Sequence, residues 1–70
     1  MNANKFVMKK HIYKDNLIFE YEEGSFLATA VDIDGDPIEK SCKSLGDAKQ
    51  WIDNVQEKNA SIYEDLKTND

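Results

Sequence analysis

The chain contains no arginine; all nine of its basic residues are lysine. Bidentate reading of guanine and much phosphate clamping is guanidinium chemistry, so an ordinary nucleic-acid binder is disfavoured from the outset. Cys42 is the only cysteine, which excludes an intramolecular disulfide and suits a reducing compartment. His11 is the only histidine and has no Cys or His companion at metal-ligand spacing. With one proline and three glycines, no Pro-, Gly- or Ser-rich linker interrupts the chain. Apolar runs are short as well: none reaches 18 residues, and Met1 to Met8 holds none of signal-peptide length. Together these absences predict a soluble cytoplasmic protein with no membrane partner and no cofactor.

What is present is charge, and it is segregated. Residues 1–14 carry Lys5, Lys9, Lys10 and Lys14 with no acid, whereas residues 15–36 carry Asp15, Glu20, Glu22, Glu23, Asp32, Asp34 and Asp36 with no base. The rest is nearly balanced, for a net charge of −5. At 40% hydrophobic and 33% charged residues the 70-residue chain has the composition of a globular domain. It is short enough that its stability margin is thin.

Periodicity predicts a single α+β domain over 1–70, with a core at about 5–58, built as a small antiparallel sheet of three to four strands on one C-terminal helix (ββββα). The first strand runs from Lys5 to Lys14, and Asp15-Asn16 is a turn pair tolerant of left-handed backbone angles. The second, Leu17 to Glu22, puts Leu17, Phe19 and Tyr21 on one face and Glu20 and Glu22 on the other. The third, Phe26 to Ile33, is apolar on both faces, and its paired Ala28 and Ala30 suggest close approach by the helix. Asp34-Gly35 marks a hairpin, and Pro37 opens a fourth, edge segment from Ile38 to Lys43. Ser44-Leu45-Gly46-Asp47 resembles a capping box, followed by an apolar stripe through Leu45, Ala48, Trp51, Ile52 and Val55. A second capping box at Ser61-Ile62-Tyr63-Glu64 leaves two endings open for residues 60–70: a separate short helix or mobile tail, or continuation of the first helix.

One helix can cover only one face of such a sheet, yet the third strand is apolar on both. Leu27, Val31 and Ile33 therefore require a cover, supplied either by Ile62, Tyr63 and Leu66 of the C-terminal segment or by a second copy in a homodimer.

Three constellations invite chemistry. Asp32-Ile33-Asp34-Gly35-Asp36 has the alternate carboxylates that begin a calcium loop, but Pro37 stands where the loop glycine belongs and Lys43 where the bidentate Glu belongs. An acidic hairpin tip without a metal is the expectation. Cys42 and His11 are residue types of a nucleophile–base pair, but no oxyanion loop or orienting partner accompanies them, so no catalytic residue is expected. Tyr13, Phe19, Tyr21 and Phe26 could stack bases, but they are interleaved with glutamates. The acids of 15–36 have a sharper reading. Glu20, Glu22, Glu23, Asp32, Asp34 and Asp36 are the candidate partner-binding residues, and their spacing could imitate the charge row of a nucleic acid.

Tyr13-Lys14-Asp15, the Gly24 turn, Asp34-Gly35, and Ser44 leading into Ala48, Ile52, Val55 and Asn59-Ala60 resemble one repeat of the YegP-type domain of unknown function, over about 50 of the 70 residues. That resemblance implies a sheet-plus-helix unit that pairs with a second unit and names no catalytic residue. Glu23-Gly24-Ser25-Phe26, Asp32-Ile33-Asp34-Gly35 and Ser44-Leu45-Gly46-Asp47-Ala48 also resemble the RNase-H-like domain of HicB-type antitoxins. This second resemblance implies toxin binding and a separate DNA-binding region. The function expected is a non-enzymatic protein-binding or regulatory module of bacterial, phage or mobile-element type. The alternative is a nucleic-acid-directed protein, either an acidic mimic acting through 15–36 or a weak binder through 5–14.

Overall fold

Two adjacent residues with left-handed backbones make the first turn: Lys14 (φ 51°) and Asp15 (φ 66°). Positive φ at both central positions is the geometry of a two-residue type I′ hairpin loop, whose twist matches that of the strands it joins. It connects β1 (Val7–Tyr13) to β2 (Asn16–Tyr21) in a computed structural model that describes the backbone of residues 6–68 and the side chains of residues 6–64. The turn lies one residue earlier than the Asp15-Asn16 pair that the sequence suggests. Asn16 instead starts the strand and returns its Nδ2 to the Lys14 carbonyl at 2.9 Å.

The next two turns share one construction. Gly24 (φ 99°) donates its N–H to the Tyr21 carbonyl, and Gly35 (φ 87°) donates to the Asp32 carbonyl. Each turn is closed by a second bond, Tyr21 N–H to Ser25 and Asp32 N–H to Asp36. A side chain at either glycine would be strained by the backbone angle itself. These turns lead into β3 (Phe26–Val31) and β4 (Pro37–Cys42), and the sheet is an antiparallel meander in the order β1-β2-β3-β4. A bulge between Val7 and Lys9 breaks the alternation at the start of β1.

The helix α1 (Leu45–Thr68) begins at Ser44, whose Oγ accepts the Asp47 N–H at 3.1 Å. The capping interaction read from the sequence is therefore in place. No glycine or proline follows Gly46 within α1, and the helix runs unbroken through Asn59-Ala60-Ser61. The second capping box is thus not used, and one helix stands where two were allowed.

Ala48 and Ile52 press onto the sheet against Ile18, Ala28 and Cys42, all five buried, with Tyr13, Phe26, Leu45 and Trp51 packed around them. Ala28 and Ala30 on β3 lie under α1, as their small size suggests. On β2 it is Ile18 that faces the helix, so Leu17, Phe19 and Tyr21 point away from it. α1 packs chiefly on β3 and β4 and crosses toward the far end of the sheet. There Asn59 donates to the carbonyl of Val31, the last residue of β3, at 2.8 Å. Twenty-four helical residues span about 36 Å, against about 20 Å for a six-residue strand. The end of α1 therefore runs past the sheet. No helix among the described residues is long and apolar enough to cross a membrane.

Candidate functional site

The acidic residues singled out from the sequence fall into three places. Glu20 lies on the helix side of β2 and accepts a hydrogen bond from His11 Nε2 at 2.9 Å. Glu22 and Glu23 belong to the β2–β3 turn, where Glu23 accepts the Ser25 hydroxyl. Asp32, Asp34 and Asp36 belong to the β3–β4 turn at the opposite end of the sheet, so the block does not form one continuous row. Only that last trio is brought together, its carboxylate oxygens lying within 4.8 Å of one another. Asp32 Oδ1 accepts the N–H groups of Asp34 (2.9 Å) and Asp36 (3.0 Å). Its carboxylate therefore fastens the turn. Three carboxylates supply about half the six to eight oxygens that calcium takes.

His11 and Cys42 are kept apart. They sit on β1 and β4, the two edges of the sheet, about 14 Å apart at the usual strand spacing. His11 is engaged by Glu20 and lies beside the Phe26 ring, 6.4 Å between centroids. Cys42 is buried between sheet and helix, and burial raises its thiol pKa above the ordinary value.

A polar clasp ties the first hairpin to α1. Asp53 accepts the Tyr13 hydroxyl at 3.0 Å and the Lys14 ammonium at 2.7 Å. The hydrogen bond from Lys14 leads in lowering the Asp53 pKa, and the same bond raises that of Lys14. Beyond the clasp, an apolar groove of about 460 Å³ opens between α1 and the β3–β4 turn, lined by Ile33, Ile38, Trp51, Val55 and Ile62. Ile33 and Ile62, grouped with Leu27 and Val31 in the sequence reading, thus meet in this groove. Tyr63 is exposed on α1, and Leu66 lies outside the described side chains.

A second apolar surface is the sheet face turned away from α1. Its central row is Phe19 beside Leu27, flanked by Lys10 on β1 and Ser41 on β4. The next row is Ile12, Leu17, Thr29 and Glu39, with the Thr29 hydroxyl bonded to the Leu17 carbonyl. Val7 opposite Tyr21 and Val31 opposite Pro37 fill the two ends. Phe19, Tyr21 and Leu27 are half-buried by their neighbours, whereas Ile12 is 76% exposed, Val31 49% and Val7 44%. Among the described residues, β2 and β3 bring no charged side chain to this face. Lys10 and Glu39 stand at its opposite edges.

The sequence reading reached Leu27 and Val31 of this surface through the two-sided apolarity of β3. It missed the contributions of β1 and β2, whose only signal was that Leu17, Phe19 and Tyr21 share a period of two. No family model matches the chain, and neither a curated protein nor a solved structure does so.

Proposed function

We propose that the chain is a non-enzymatic binding module that works by protein–protein contact, with the uncovered sheet face as its contact surface. One observation carries this reading: the face opposite α1 is apolar at its centre on β2 and β3, extended by Ile12 and Val7 of β1, and nothing in the described chain covers it. Exposed apolar patches of more than a few hundred Å² mark interaction sites on folded proteins. A polar rim around an apolar centre is the anatomy of a specific interface. The test is retention of protein partners, another copy of the chain included, by immobilised wild type, Phe19→Lys and Glu57→Lys. Loss on Phe19→Lys alone supports the reading. Equal retention by all three overturns it.

A second reading is favoured by one placement. Phe19 and Tyr21 share the open face with Lys10, while Glu20 lies on the other side. Aromatics with a neighbouring cation form the stacking platform of single-strand binders. Against it, Lys10 and Glu39 leave the face without net positive charge, and phosphate binding draws its affinity from that charge. Anisotropy of a labelled single-stranded oligonucleotide separates the two readings. Salt-sensitive binding that disappears in Phe19→Ala supports the platform; no binding at low salt removes it.

A further inference from the structure

We propose that the open sheet face is closed by a second copy of this chain, packed sheet on sheet about a two-fold axis that runs along the strands. This rests on the reading of that face as a protein-contact surface and names its partner.

The area of the face suits a sheet better than a helix. Four strands at about 4.8 Å spacing and six residues at about 3.3 Å give a face of roughly 19 by 20 Å. That is on the order of 400 Å² in projection per copy. Specific interfaces bury about 1,200 Å² or more in total, so the whole face, with the relief of its side chains, must be used. A helix about 10 Å wide covers half of it, whereas a second four-stranded sheet of the same outline covers it all. Antiparallel sheets stack in this way about 10 Å apart, with their strands within about 30° of each other.

Charge selects the axis. The centre of the face, Phe19 and Leu27 with Leu17 and Thr29, is uncharged, and the two charges lie at opposite edges, Lys10 on β1 and Glu39 on β4. A two-fold axis along the strands lays β1 of one copy over β4 of the other. Each Lys10 then lies over Ser41 of the second copy, one row from its Glu39 and within the reach of two long side chains, twice by symmetry. An axis across the strands instead lays β1 over β1 and gathers both Lys10 side chains at one edge and both Glu39 side chains at the other. Only the first arrangement is complementary.

α1 does not compete for this position. It lies on the other side of the sheet along its whole contact with β2, β3 and β4, and Ile62 closes the groove on that side.

Light scattering and sedimentation equilibrium of the full chain test the proposal. The expected mass is about 16 kDa, twice the 8.0 kDa of the chain, falling on dilution. Phe19→Lys should give the 8.0 kDa species with an unchanged circular-dichroism spectrum. Lys10→Glu and Glu39→Lys, which leave every buried residue in place, should each weaken the dimer roughly tenfold, and the double exchange should restore it. A monomer mass at all concentrations overturns the second copy, as does a dimer indifferent to Phe19→Lys. A double exchange weaker than either single one overturns the axis. If the monomer retains another protein through Phe19, the proposal fails while the contact reading stands. If it retains none, both fail.

Discussion

The two faces of the sheet differ at their centres: directly under α1 the covered face carries small side chains, with Tyr13 and Phe26 packed beside them, whereas the centre of the open face carries large ones. Under α1 lie Ile18, Ala28, Ala30 and Cys42, met by Ala48 and Ile52. Away from it lie Phe19, Tyr21, Leu17, Leu27, Ile12 and Val31. Small residues let helix and sheet approach closely, so the covered face is dense at its centre, with Tyr13, Phe26, Leu45 and Trp51 closing around it. Large residues on the open face fill with one another only partly. Folding thus draws on the first face, and the second retains apolar surface that association would remove from water.

The sharpest way to break that contrast is to remove volume from the dense face. Ile52 is fully buried on α1, and Ile52→Ala should destabilise by about 2–5 kcal/mol. In a chain this short that is a large part of the total. Urea unfolding followed by circular dichroism should show the midpoint fall far below that of the wild type, toward a chain unfolded without denaturant. A loss below about 1 kcal/mol would mean the interior tolerates cavities, and the contrast between the faces would weaken.

The start of the helix that builds the dense face is the next point. Ser44 Oγ satisfies the Asp47 N–H, and Ser44→Ala should cost about 1 kcal/mol in the same measurement. A side chain added at Gly46, two residues on, would meet only Ser44 Oγ, at 3.9 Å, so the cap is not crowded.

The clasp between the first hairpin and α1 is expected to act through pH. Asp53 titrates below its ordinary value near 3.8 because Lys14 and Tyr13 donate to it. Its stabilising contribution is therefore complete above that value and fades as pH falls through the lower, folded one. Lys14, raised above its ordinary 10.5, contributes below that value and loses its contribution as pH rises past the folded one. Asp53→Asn should flatten the fall in melting temperature between pH 5 and pH 2, relative to wild type, and leave other acidic titrations in place. Parallel curves would show that the clasp does not hold the hairpin.

Much of this architecture was legible because its signals are local. Gly24 and Gly35 sit where positive φ is needed, Ser44 caps, and the alanines of β3 announce the helix above them. The residues behind the family resemblances are of this kind, which is why they foretell turns and a cap and carry no site. Which side of β2 would be buried was not legible. Leu17, Phe19 and Tyr21 outweigh Ile18 and Glu20 in hydrophobicity, but the choice is made by neighbours: register sets Ile18 beside Ala28 and His11, on the side where α1 can come close. The Val7–Lys9 bulge hid the face of β1 by breaking its alternation. The acidic block was evident as composition, but the meander sends its turns to opposite ends of the sheet, and sequence distance does not reveal that.

The smallest expected effect sharpens the comparison most directly, because it makes the same change on the other face. Ile12→Ala removes the same atoms as Ile52→Ala, from a side chain 76% exposed at the edge strand. Little area leaves water when the strand forms, so monomer stability should shift by less than about 0.5 kcal/mol. Unfolding measured at protein concentrations low enough to favour the monomer should give superimposable curves for Ile12→Ala and wild type. At high concentration the curves should separate, since the lost side chain then belongs to a buried surface. A separation already present at low concentration would mean that the open face supports the fold of the single chain. The division of labour between the two faces would then be one of degree.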